Sequence, residues 1–218
     1  MASTTIITKI HAALERQYGP KRARKARGNP LDELILTILS QNTSDINSHR
    51  AFQVLRQVMS TWEEVHRASV RKVAEAIDSG GLANLKATRI KAVLDRIYRD
   101  QGHFDLSFLR DLSVEEVQAY LSRFKGIGPK TVACVLLFSL GKPAFPVDTH
   151  VYRVTGRLGL IHAKASPKRA QTLLESMVPP ALFYQLHMNL VEHGRKTCKA
   201  STPLCHTCPL FKLCAYVR

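Results

Sequence analysis

The chain has 218 residues, and its 32 Lys and Arg against 17 Asp and Glu give a formal charge of +15. Such an excess repels itself and is usually matched by a polyanion, nucleic acid being the commonest, while a 45% hydrophobic content allows a real core and excludes wholesale disorder. The longest largely apolar stretch, Val132 to Leu140, is far below the roughly 18–20 residues that span a bilayer. The N-terminal MASTTIITKIHAALERQYG places Glu15 inside a helical pattern and has no continuous apolar core, so no secretory signal is predicted and an intracellular protein is expected.

Apolar spacing is helical almost throughout. Ile6, Ile7, Ile10, Ala13 and Leu14 mark a first helix, stopped by Gly19-Pro20. KRARKARG, residues 21–28, follows as a basic link with no apolar stripe; it is either simply solvated or a source of nonspecific, salt-sensitive affinity for nucleic acid. Leu31–Leu39 predicts a mostly buried helix, and another begins near Ser44 or Asp45 and runs through Phe52, Val54, Leu55 and Val58. Ser69–Asp78 is a short helix ended by Gly80-Gly81, and Lys86–Arg99 sets Ile90, Val93, Leu94 and Ile97 on one face. Ser113 with Glu116 forms a capping box that starts a helix through Val117, Tyr120 and Leu121. Further helices are predicted over 149–159, 167–178 and 181–193. With no run of alternating strand pattern and no repeat of about 20–50 residues, the fold class is all-α.

The stretch FKGIGPKTV, 124–132, turns the chain at Gly126-Ile127-Gly128 and places Pro129 at the first helical position, where its missing N–H costs nothing. Backbone N–H groups at such a helix start suit a phosphate oxygen, and glycine lets the backbone approach closely. A contact of that kind positions DNA without reading its sequence; the alternative reading of the bare G-x-G pattern is a simple interhelical turn. Lys130 falls in the first turn, where the dipole disfavours a cation. It is either a long side chain reaching solvent or phosphate, or an amine whose neutral form is available as a nucleophile. Asp148, in FPVDTH, is a natural N-cap for the helix that follows. It is also a carboxylate that could take a proton from an amine or stabilise positive charge on a sugar.

Four of the five cysteines fall near the C-terminus as Cys198-x6-Cys205-x2-Cys208-x5-Cys214. Crowding of this kind argues for a metal centre over disulfides. Four thiolates hold either zinc or an iron–sulfur cluster, and one close pair flanked by single cysteines favours the larger cubane. Cys134 is left over as a small buried residue on an apolar helix face.

Together these motifs, GIGPKT, VDTH and HGRKTC leading into C-x6-C-x2-C-x5-C, resemble the endonuclease III family of DNA glycosylases in the helix-hairpin-helix superfamily, over about Leu31 to Cys214. The resemblance implies a two-lobed all-α fold. A six-helix domain, 31–142, carries the hairpin, and residues 1–30 with 143–218 form a second lobe with a [4Fe-4S] cluster loop at 198–214. It implies double-stranded DNA carrying damaged bases or abasic sites as partner, no membrane, a monomer, and a damaged base flipped into a cleft between the lobes. Lys130 matches the family's nucleophile, which attacks the sugar C1′, releases the base and forms a Schiff base before β-elimination cuts the strand 3′ to the lesion. Asp148 matches its essential carboxylate, and Cys198, Cys205, Cys208 and Cys214 match its cluster ligands. Related monofunctional glycosylases lack the lysine.

Gly126, Ile127, Gly128 and Thr131 match the DNA-gripping hairpin, and His150, two residues after the aspartate, is a further candidate DNA contact. SQNTSD, 40–45, matches the loop that fills the hole left by the flipped nucleotide, with either Gln41 or Asn42 as the filling side chain. Leu82 matches an apolar wedge between bases, the alternative being a buried leucine. Phe124-Lys125 and Pro129 depart from the family's usual leucine-proline and arginine. The expected activity is a bifunctional glycosylase and AP lyase for oxidised pyrimidines. The alternatives are the same fold acting on mismatched or alkylated bases, or a noncatalytic DNA-binding helix-hairpin-helix protein.

Overall fold

In the computed structural model, which describes residues 2–22, 28–162 and 164–217, every regular element is helical and no strand occurs among the described residues. The expected basic link is described only at its ends; residues 23–27 lie outside the described residues. No described helix is long and apolar enough to cross a membrane.

The caps written in the sequence set most of the boundaries. α1 (Ala2–Tyr18) stops where Gly19 turns to φ +78° and its N–H reaches Glu15 O at 2.7 Å. α2 (Pro30–Leu39) starts behind Asn29, whose side chain accepts from Leu31 and Asp32 N–H, and Ser44 caps α3 (Asp45–Val58). α4 (Trp62–Arg67) is an element the apolar spacing did not reveal. Its signal is the Thr61/Glu64 capping box, with each side chain bonded to the other residue's backbone. Ser69 caps α5 (Val70–Ala76), and α6 (Ala83–Gln101) ends at Gly102, φ +74°. The Ser113/Glu116 box opens α7 (Val114–Ser122) as predicted. Pro129 opens α8 (Pro129–Cys134), which continues as a π-helix over Val135–Leu140. Asp148 caps α9 (Thr149–Arg157), Ser166 caps α10 (Pro167–Met177), and α11 (Phe183–Lys196) leads into the cysteine-rich tail.

The chain divides into two compact units, Arg27–Leu140 and Met1–Ala26 with Gly141–Arg218. In the first, α2 is the central rod. It touches α3, α6, α8 and the π-helix, and Leu31, Leu34, Ile35, Ile38 and Leu39 are wholly buried. A helix apolar nearly all round must be enclosed in this way. In the second unit α11 lies against α9 and α1, and α10 also touches α1. Ile7, Ile10 and Leu14 meet the apolar faces of these helices in a core that includes Phe145, edge-on to Phe183 at 5.4 Å. α9 and α11 approach closely at Gly194, where an added Cβ would stand 2.8 Å from His150 Cβ.

Candidate active site

The hairpin forms as the glycine spacing predicts. Gly126 takes φ +84°, Ile127 N–H closes on Phe124 O at 3.1 Å, and the buried Phe124 and Ile127 side chains fasten the turn to the core. Gly126 and Gly128 are exposed. Ile127 and Thr131 are buried, 7% and 3% exposed, and pack into the core. The first turn of α8 carries N–H groups for which an α-helix has no internal acceptor. Lys130 stands in that turn, half-buried.

Sequence reasoning missed a neighbour of this lysine. Glu33 projects from α2, accepts from Thr37 Oγ1 at 3.3 Å, and lies within the electrostatic reach of Lys130. Burial pushes its pKa above the usual carboxylate value, while the Thr37 hydrogen bond and the positive charge of Lys130 pull it back. No periodicity marks such a residue, because it sits on the polar edge of an otherwise buried helix. The sign of the stability effect follows from linkage. A carboxyl with a raised folded pKa binds its proton more tightly when folded, so stability falls as pH rises from the unfolded value, 4.5, through the folded one. Glu33→Gln removes that penalty. Its melting temperature should exceed wild type at pH 7 and converge on it below about pH 4, as read by thermal melts at both pH values.

Two other predicted residues in this unit share an unusual backbone. Asn42 and Leu82 adopt φ +53° and +51°, and they are the only non-glycine residues in the left-handed region among the described residues. That region costs about 1–2 kcal/mol for a residue with a Cβ. Leu82 has no polar side chain to offset it, and it is also 54% exposed. Gln41, half-buried, is held as acceptor by Arg89 Nη1 from α6. The structure therefore gives the two candidate gap-filling residues different settings: Gln41 is engaged, and Asn42 is exposed at the strained position.

Asp148 belongs to the second unit. It is the N-cap expected, with Oδ1 accepting from Val151 N–H at 2.7 Å. His150 is half-buried behind it, its Nδ1 accepting from Arg153 Nη2 at 3.0 Å.

All four tail cysteines line one pocket, together with Arg157 and His193. Short overlapping turns bring them there: Cys208 N–H bonds Cys205 O at 3.2 Å, and Phe211 N–H bonds Cys208 O at 3.1 Å. Burial raises the Cys208 pKa, and the other three thiols raise it further, so the four share one electrostatic site. Arg157 anchors the loop to α9 by donating to Lys199 O and Ala200 O at 2.7 and 2.8 Å, with Cys198 Sγ 3.3 Å from Nη1. His193 Nε2 is 3.7 Å from Cys208 Sγ; burial holds this imidazole at a pKa of about 4, hence neutral. Among the described residues no three His, Cys, Asp or Glu side chains are grouped as ligands of a single metal ion. Cys134 is buried, as expected.

Residues 35–180 match the HhH-GPD superfamily of base excision DNA repair proteins. A provisionally named DNA glycosylase of Arabidopsis thaliana is 43% identical over 165 residues, covering 76% of this chain and 56% of its own. The DNA glycosylase/AP lyase ROS1 of the same plant is 36% identical over 180 residues, covering 74% of this chain and 13% of its own. The chain thus spans little more than half of the first relative and a small part of the second. Endonuclease III of Sulfolobus acidocaldarius is 32% identical over 190 residues, 86% of this chain and 82% of that protein. A trapped endonuclease III–DNA covalent intermediate superposes with a TM-score of 0.83 at 25% identity, covering 98% of this chain and 96% of that one. The chain belongs to the HhH-GPD superfamily of base excision DNA repair proteins and, within it, to the endonuclease III family.

Proposed function

We propose that this protein is a bifunctional DNA glycosylase and AP lyase that removes oxidised pyrimidines from double-stranded DNA. The observation that carries the reading is Lys130 in the first turn of α8, directly behind the exposed Gly126 and Gly128. It stands in a chain similar over nearly its whole length to an endonuclease III trapped covalently on DNA. The hairpin N–H groups hold a backbone phosphate and fix the register of the strand. The neutral amine of Lys130 attacks C1′ of the flipped nucleotide, the glycosidic bond breaks, and the base leaves with the bonding pair and takes up a proton. Loss of a proton from the amine and opening of the ring give the Schiff base. Removal of a C2′ proton then expels the 3′ phosphate by β-elimination. Asp148 accepts the lysine proton or stabilises the positive charge that develops on the sugar as the base departs.

The same reading assigns a [4Fe-4S] cluster to Cys198, Cys205, Cys208 and Cys214. Support comes from the donor chemistry, four thiols around one pocket, and from the single close pair in the spacing. Cys198, Cys205, Cys208 and Cys214 would hold such a cluster through their thiolates, and its iron–thiolate bonds would fix the 198–214 loop in place.

Borohydride trapping on a panel of duplexes tests the reading. Covalent adducts are expected on duplexes bearing an oxidised pyrimidine or an abasic site, and purified protein should contain four irons per chain. A protein that never traps on an abasic duplex is not an AP lyase, and the lyase reading fails. Trapping on mismatched or alkylated bases in preference to oxidised pyrimidines would replace the substrate and leave the chemistry intact.

A further inference from the structure

Lys86 is among the largest fully buried side chains, 1% exposed. Its amine donates to Leu39 O and to Gly80 O, each at 2.7 Å. A lysine in a core is unfavourable unless its charge is hydrogen-bonded, and an apolar side chain of similar volume serves packing better. The two acceptors suggest what the charge is for. Leu39 ends α2, three residues before Asn42, and Gly80 lies two residues before Leu82. The main-chain N–H of Lys86 also bonds Leu82 O at 3.0 Å. The two strained, exposed positions of this unit are therefore tethered through one residue, which is the kind of over-determination that left-handed backbone needs in order to persist.

One turn further along α6, Arg89 continues the pattern. Its Nη1 donates to Gln41 Oε1, and its guanidinium lies over Gly126, where an added Cβ would come within 2.8 Å of Cζ. That close approach explains why position 126 carries no side chain, beyond its positive φ. α6 thus ties the 39–42 loop, the 80–82 loop and the hairpin to two side chains three residues apart, all within the Arg27–Leu140 unit.

We propose that Lys86 and Arg89 are positioning residues that lock the Gln41–Asn42 and Leu82 loops in one register with the hairpin, so that both loops enter a duplex as a single rigid probe. This rests on the reading of the protein as one that opens duplex DNA at a lesion; neither residue touches the reacting atoms. Without the tether each loop must find its left-handed turn during encounter, and insertion into a stacked duplex slows. A single strand needs no such insertion.

The test uses the full chain and a duplex with a noncleavable tetrahydrofuran abasic analogue opposite 2-aminopurine, whose fluorescence reports insertion into the stack. Lys86→Met and Arg89→Ala are each compared with wild type, and trapping on abasic duplex is compared with trapping on an abasic single strand. In each variant that folds by circular dichroism, the insertion amplitude and the duplex-to-single-strand trapping ratio are both expected to fall, by about fivefold in Arg89→Ala, the effect of roughly one lost hydrogen bond, and by more in Lys86→Met, which loses two. Arg89 is only half-buried, so Arg89→Ala decides the matter if Lys86→Met does not fold. Wild-type insertion amplitude in a folded variant overturns the proposal and leaves Lys86 as a cap for two buried carbonyls. So does a wild type with no insertion signal. A wild type that inserts but never traps defeats the lyase reading and leaves the positioning role standing.

Discussion

Lys130→Ala should lose strand cleavage and borohydride trapping by at least about 10³-fold, the scale set by removing a covalent nucleophile, while its melting temperature stays close to wild type. The two halves of this expectation come from the same geometry. Lys130 stands half-buried in the first turn of α8, so truncating it opens no core cavity of the kind that makes large side-chain deletions destabilising. Gel-based cleavage of an abasic duplex, with a thermal melt of the same preparation, checks both. Retained affinity for a noncleavable abasic duplex would show that the hairpin still grips phosphate, because that contact uses backbone N–H groups that the substitution leaves in place. Lys86 provides the internal comparison. It is a lysine of the same unit, but its amine is sealed in the core on two carbonyls, so it cannot stand in as nucleophile. Cleavage surviving in Lys130→Ala would need a different exposed amine.

Features that could be read from the sequence are those written in local chemistry. Asn29, Ser44, Ser69, Ser113 and Asp148 announce helix starts because a short polar side chain satisfies N–H groups two or three residues on, a relation contained within one turn. Pro129 and the glycines of the hairpin are legible for the same reason. The Thr61/Glu64 box carries the same local signal, and α4 was missed because apolar periodicity over six residues is too short to register. Lys86, Arg89 and Glu33 belong to another class. Their partners lie far off in the chain: Leu39 is 47 residues from Lys86, and Gln41 is 48 from Arg89. A charged residue in an amphipathic helix reads as a solvated face until the fold shows what it meets. The left-handed turn at Leu82 is equally silent, since leucine rarely adopts that conformation and nothing in GGLANLK predicts it.

Asp148→Asn separates the structural and chemical roles that this residue combines. Its Oδ1 caps α9 through Val151 N–H, and asparagine caps a helix about as well as aspartate. The variant should therefore fold with a stability within about 1 kcal/mol of wild type, the difference being the lost attraction between a carboxylate and the helix dipole. Asp148→Ala loses the cap as well and should be less stable by about a further 1 kcal/mol. Release of a damaged base should nonetheless fall by about 10²–10⁴-fold in both variants. The comparison between substrates tells the two chemical roles apart. If Asp148 stabilises charge on the sugar as the base departs, the loss is confined to base release and largely disappears on a preformed abasic site, where no base has to leave. If it takes the proton from Lys130, cleavage of the abasic site falls in parallel. Full activity in a folded Asp148→Asn would reduce this residue to a helix cap and move the search for the carboxylate to Glu33, which α2 already holds in the field of Lys130.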